Sequence, residues 1–178
     1  MMVHHSSYAE LEAALPEIER SPRERGTLAL IVRRPSSGER EVLDAATLDV
    51  EEGLVGDRWA HGKRRRVNQV TVINTRLVAA LAQGRERWAL AGDQLYADFD
   101  LSVEHVPPGT RLRIGAAEIE VSPEPHTGCR LFAERYGRDA QRFVGSERGL
   151  ALSLRGINAW VVKGAELRVG DEVVALFD

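Results

Sequence analysis

Only one cysteine, Cys129, occurs among the 178 residues, so no disulfide can form within the chain and nothing points to an oxidising compartment. Long apolar runs are missing too. No stretch approaches the roughly 20 consecutive apolar residues of a membrane span, and Met1-Met2-Val3-His4-His5 lacks the basic-then-apolar pattern of a secretion signal. A cytoplasmic protein without membrane contact is the expectation. Charge of one sign is not in excess: 24 basic and 27 acidic side chains leave a net charge of −3, which argues against a dedicated nucleic-acid partner. Several catalytic signatures are absent. There is no G-x-x-x-x-G-K-[ST] phosphate loop, no G-x-G-x-x-G dinucleotide fingerprint and no G-x-S-x-G elbow, and the five histidines make no H-E-x-x-H pair. What remains is an ordinary globular composition, 43% hydrophobic and 29% charged, in a chain of single-domain size.

Ser7-Tyr8-Ala9-Glu10 has the form of a capping box, and Leu11, Ala14, Leu15 and Ile18 follow at helical spacing. A helix over 7–20 is expected, kinked at Pro16 or starting a second turn there, so residues 1–26 read as an N-terminal helical extension and 27–178 as the main domain. From Thr27 the period changes to that of strands. Strands are expected at 27–33, 41–50, 67–73, 95–101, 111–114, 118–122, 157–162 and 172–177. Asn74 offers a cap for a helix through Ala82, and short helices are expected at 129–136 and 139–144. Gly109–Gly115 and Gly164–Gly170 share the pattern G-x-x-L-R-[IV]-G. Two copies are too few for a repeat array, and both read as strand-end turns. Many short strands with few helices between them make the fold class mainly β with a few short helices (α+β), an antiparallel or mixed barrel.

Two groups of residues could carry chemistry. The loop Pro123–Gly128 leads into a run of helical spacing, which puts Cys129 in the first turn of a helix, where unpaired N–H groups favour a thiolate. Arg130 adds positive field, and His126 could bond the sulfur or cap the loop. The alternative is a small, inert, buried cysteine. The second group is Gly53-Leu54-Val55-Gly56-Asp57-Arg58 with the following basic stretch. Between Arg58 and Arg66 stand five basic residues, with His61 and no acid. Arg58 and Lys63 could hold a phosphate, or the segment could be a solvated basic loop.

The ordered blocks GLVGDR (53–58), AGDQLYADFD (91–100), Gly109–Gly115 with its following strand, HTGCRL (126–131) and RGINA (155–159) with Gly170-Asp171 resemble MOSC domains, named for the C-terminal domain of molybdenum-cofactor sulfurase. The likeness runs from about residue 27 to the C-terminus. It implies a MOSC-like β-barrel and a role for the cysteine matching Cys129, proposed in the family to carry sulfur or to ligate molybdenum. In better characterised members a pterin-bound molybdenum centre reduces N-hydroxylated compounds. Carried onto this chain, the resemblance implies that Arg58, Lys63 and Arg64 neutralise the phosphate of the molybdenum cofactor (molybdopterin). His126, Thr127, Gly128, Arg130 and Asn158 would contact the pterin or oxo groups, and Cys129 would ligate the metal. The implied partners are a small-molecule substrate and an electron-donor protein. Two alternatives stand beside it: a sulfur carrier bearing a Cys129 persulfide supplied by a cysteine desulfurase, and a non-enzymatic anion-binding domain. One departure is visible. Where many stand-alone members have a His-His-Gly-Gly stretch, this chain has His61-Gly62-Lys63.

Overall fold

Strand periodicity and two apolar clusters account for the architecture of this computed structural model, which describes residues 2–178. Helix α1 (Tyr8–Glu19) begins with the expected capping box: the Glu10 amide donates to Ser7 Oγ and the Ser7 amide to the Glu10 carboxylate. It runs on past Pro16 for three residues. Strands β1 (Gly26–Arg33), β2 (Glu41–Leu43), β3 (Ala45–Asp49), β4 (Gly53–Leu54) and β5 (Val70–Asn74) follow, then α2 (Thr75–Ala82), capped by Asn74. Next come β6 (Leu95–Asp98), β7 (Arg111–Ile114), β8 (Ala117–Pro125), and three short helices, α3 (Arg130–Tyr136), α4 (Arg138–Val144) and α5 (Glu147–Ala151). Strands β9 (Ile157–Lys163), β10 (Ala165–Arg168) and β11 (Glu172–Leu176) end the chain.

The order β11-β7-β8-β9-β5-β6-β1 closes on itself, because Gly26 and Thr27 of β1 pair with Val173 and Glu172 of β11. The result is a closed seven-stranded barrel, with β2 added outside β1 and β10-β3-β4 forming a small second sheet. Closure leaves few unpaired strand edges. Every barrel pairing is antiparallel except β5 with β6, so the barrel is mixed.

Leu28, Val70, Val72, Leu95, Phe99, Leu112, Ile119 and Val161 fill the barrel. A second cluster packs the helices on its outer face, joining Leu11 and Ile18 of α1 to Leu77, Val78, Phe132 and Phe143. All five residues of β5 are buried. Val70 and Val72 point into the barrel and Ile73 into the helical layer, which explains the nearly continuous apolar run there. Burying a side chain of this size is worth about 1.5–3 kcal/mol. The N-terminal segment therefore lies outside the barrel interior yet is fastened to it by a fully buried Leu11.

Some expected boundaries move. The strand expected over 41–50 is two strands broken at Asp44, since β2 pairs with β1 whereas β3 pairs with β10 in the other sheet. The strand expected from residue 67 starts at Val70, because Arg66–Asn68 is drawn into a 3-10 turn. The Gly109–Gly115 and Gly164–Gly170 segments hold strands β7 and β10 themselves, with Leu112 and Leu167 both fully buried. Helix α5 and the 3-10 segment Arg85–Ala91 were not anticipated.

Candidate functional site

The end of β8 opens the barrel wall. Its sequence Ser122-Pro123-Glu124-Pro125 contains two prolines, neither with an N–H to give to the ladder. Pairing with β9 slips between Val121↔Ala159 and Pro125↔Ile157, so residues 122–124 face Asn158 alone. This is a bulge of the kind that re-aims side chains beside a site. Asn158 spans the gap by donating from Nδ2 to the Glu124 carbonyl at 3.2 Å.

The facing wall is the segment after β4, held by Asp57. Its fully buried carboxylate accepts four hydrogen bonds: from the Arg34 amide, Arg34 Nε, Arg34 Nη2 and the Trp59 amide, at 2.8–3.0 Å. Burial alone would raise the Asp57 pKa, but the Arg34 guanidinium and these donors outweigh it and hold the carboxyl below its usual range. Asp57 thereby caps the 3-10 turn Arg58–His61 and fixes where Arg58 leaves the chain. Trp59 Nε1 donates to the Arg65 carbonyl at 3.2 Å, and Arg64 lies over the Trp59 ring at 5.7 Å. The two walls are bridged by an ion pair of 2.6 Å between Arg65 and Glu124.

Between them lies a cleft of about 640 Å³. Arg34, Arg58, Lys63, Arg64 and Arg65 line one side, Asn68, Thr71 and Asn158 its polar floor, and Pro125, His126 and Thr127 the other side. Arg34 is neutralised by Asp57, Arg65 by Glu124, and Arg64 lies 4.0 Å from Glu51. Arg58 and Lys63 have no carboxylate within 4 Å among the described residues, so they supply the cleft's uncompensated positive charge.

The candidates read from sequence divide accordingly. Arg58, Lys63, Arg64, His126, Thr127 and Asn158 share this cleft. Gly128, Cys129 and Arg130 do not line it. Gly128 sits against α4, where a Cβ would come 3.3 Å from Val144. Cys129 is exposed and is the N-cap of α3, not a residue of its first turn as expected, with extended backbone at φ −103° and ψ 177°. The Arg130 guanidinium is exposed and lies 3.5 Å from Glu134. His126 neither bonds the sulfur nor caps the loop. Its Nδ1 faces the fully buried Asp93 carboxylate at 3.4 Å, and Asp93 is held from its other oxygen by Arg155 at 2.6 Å. Burial lowers the His126 pKa to about 4, against the pull of Asp93, whose charge is already met by Arg155. The imidazole is therefore neutral at pH 7, and with Nδ1 turned to Asp93 its Nε2 is the nitrogen left for a ligand. Gly156 makes room for this group: its φ is +106°, and a Cβ there would lie 2.5 Å from the Val72 carbonyl and 3.3 Å from both Asp93 Oδ1 and His126 Nδ1.

Sequence reasoning missed Arg34, Asp93 and Arg155 as parts of the site, and took Trp59 for a packing residue. For Asp93, Arg155 and Trp59 the available signal was their presence in or beside the matched blocks, whereas Arg34 stands 19 positions before the first of them and carried none. Among the described residues no three His, Cys, Asp or Glu side chains converge as a metal site, and no helix is long and apolar enough to cross a membrane.

A family model described as MOSC domain matches residues 67–174. No curated protein matches the sequence. Among solved structures, the chain is similar to the YuaD protein of Bacillus subtilis, with a TM-score of 0.64 at 15% identity over 88% of this chain and 99% of that one. It is similar also to YiiM of Geobacillus stearothermophilus (TM-score 0.59, 11% identity, 85% and 75% covered). YiiM of Escherichia coli gives 0.56, 16%, and 85% and 70% covered. At these identities the likeness shows the fold.

Proposed function

Because the chain belongs to the MOSC domain family, we propose that its cationic cleft binds the phosphate-bearing pterin of the molybdenum cofactor, and that the protein is a cofactor-dependent reductase of N-hydroxylated compounds. The observation that carries this reading is the pair of uncompensated cations, Arg58 and Lys63, on a wall pinned by buried Asp57. The residues present suit such a group. Arg58 offers a fork and Lys63 a point charge to a phosphate, with Arg64 beside them. Asn158 and Thr127 offer hydrogen bonds to the pterin, and neutral His126, its Nδ1–H turned to Asp93, can accept one at Nε2. When bound, the cofactor supplies two-electron redox chemistry that no amino-acid side chain provides. Electrons come from a partner protein. Cys129, the one thiol in the chain, would be the soft ligand for the metal. It lies two residues beyond Thr127, which lines the cleft.

A second reading is favoured by the exposure of Cys129 outside the cleft lining. In a sulfur carrier, the Cys129 thiolate attacks the terminal sulfur of a donor persulfide, the donor S–S bond breaks, and the donor thiolate leaves. The test is to purify the protein from cells that make the molybdenum cofactor, then measure bound molybdenum and the intact mass. Stoichiometric molybdenum that is lost in Cys129→Ser supports the reductase. A reducible gain of one sulfur without metal supports the carrier. Neither signal, with anion binding retained, leaves a simple anion-binding domain and refutes the reductase.

A further inference from the structure

The bulge that opens β8 forms a second cavity as well as the cationic cleft. It measures about 290 Å³ and shares Glu124, Pro125, His126 and Asn158 with the cleft, so the two chambers meet at one wall. Their chemistry is opposite. The second chamber is walled by Val106, Val121, Val144, Leu154 and Ile157. Its rim carries Val103 and Leu150, which are 48% and 51% exposed although large and apolar. An apolar cavity with a few polar groups at one end is the usual form of a small-molecule site, and this volume lies just below the roughly 300–1,000 Å³ of drug-sized pockets, room for a single ring.

The charges around it cancel. Arg155 is paired with Asp93 at 2.6 Å, and Glu124 with Arg65 at 2.6 Å. His126 stays neutral down to about pH 4. An ion entering the chamber would lose hydration and meet no opposite charge in return. A neutral molecule would lose little and could still hydrogen-bond His126 or Asn158 at the shared wall.

We propose that this chamber binds a small, neutral organic molecule with an apolar body, whose hydrogen-bonding end is held at His126 and Asn158 facing the cationic cleft. As the seat of a substrate it rests on the cofactor reading above; as a binding site it rests on the cavity alone. The two chambers then divide the work, the cleft taking an anionic group and the cavity an uncharged one.

The experiment uses the full chain purified without cofactor and benzamide as the probe, with benzoate and benzamidine as charged analogues of the same shape. Benzamide is expected to bind saturably with a dissociation constant on the order of 1 mM, shifting the methyl resonances of Val106, Val121 and Leu154 and the ring resonances of His126. Both charged analogues are expected to bind at least tenfold more weakly in the chamber, as read from the Val106, Val121 and Leu154 methyls, which lie outside the cationic cleft. Leu150→Glu and Val103→Glu, on exposed rim residues, are expected to weaken benzamide tenfold with unchanged urea midpoints. Absence of saturation, shifts outside the chamber, equal binding of the three probes, or a rim closed by a second copy of the chain in sedimentation would each overturn the proposal. Because no cofactor is present, benzamide binding together with absent molybdenum would retain this site and refute only the cofactor reading. Molybdenum binding without benzamide binding would do the reverse.

Discussion

Replacing Asp57 by Ala removes the acceptor that four donors share, and its cost follows from what is left behind. The Arg34 side chain is 16% exposed and keeps only the Gly92 carbonyl at 3.2 Å. Breaking a buried ion pair from one side costs about 3–5 kcal/mol, because a charge is left without compensation. Losing the Trp59 cap adds about 1 kcal/mol. A loss of about 4–6 kcal/mol is expected, against a total stability of about 5–15 kcal/mol for a domain, and corresponds to a fall in melting temperature of about 8–24 °C. Urea unfolding of the wild type, D57A, R34M and the double variant measures it. If the penalty is the stranded guanidinium, R34M in the D57A background recovers at least about 1 kcal/mol. A D57A loss below about 1 kcal/mol, or a double variant weaker than D57A alone, would refute the reasoning.

Three further outcomes follow from the site. His126 has its pKa lowered from 6.5 to about 4, so the unfolded chain binds the extra proton first and stability falls as pH drops through that window; the loss between pH 7 and pH 5 is about 2 kcal/mol, and chemical unfolding of His126→Asn should lack that slope. Gly156→Ala forces a Cβ against the Val72 carbonyl at φ +106°, and should cost at least about 2 kcal/mol and broaden the His126 ring resonances; unchanged stability and spectra would contradict the packing described. Glu124→Gln removes an ion pair whose side chains are 32% and 56% exposed, so unfolding should shift by less than about 1 kcal/mol, while calorimetric pyrophosphate affinity should rise several-fold at low salt because Arg65 is freed.

The parts of this molecule legible in its sequence are those set by neighbours along the chain. The capping box at Ser7 and Glu10, the Asn74 cap before Leu77, Val78 and Leu81, and the strand pattern around Leu112 need only local spacing. The basic cluster was also local, and Arg58, Lys63 and Arg64 line one cleft with His126, Thr127 and Asn158, while Gly128, Cys129 and Arg130 lie outside it. What was hidden depends on distant pairing. Asp57 finds Arg34 across 23 positions and Asp93 finds Arg155 across 62, and no periodicity marks either. The break at Asp44 arises because two stretches of similar composition find partners in different sheets. Helix α5 carries Gly149 in its middle, a poor helix former; a Cβ there would lie 2.3 Å from the Phe143 carbonyl, so the helix depends on a close approach that propensity does not register.

If the cleft is the seat of a phosphate-bearing pterin, pterin content tests that directly. Protein purified from cofactor-producing cells is oxidised and its released pterin quantified by fluorescence, beside the double variant Arg58→Ala, Lys63→Ala, whose side chains are exposed and make no described ion pair. The prediction is close to one pterin per wild-type chain and at least a tenfold lower content in the variant, with both proteins equally folded. Equal pterin in the two, or none in the wild type, would contradict the central claim.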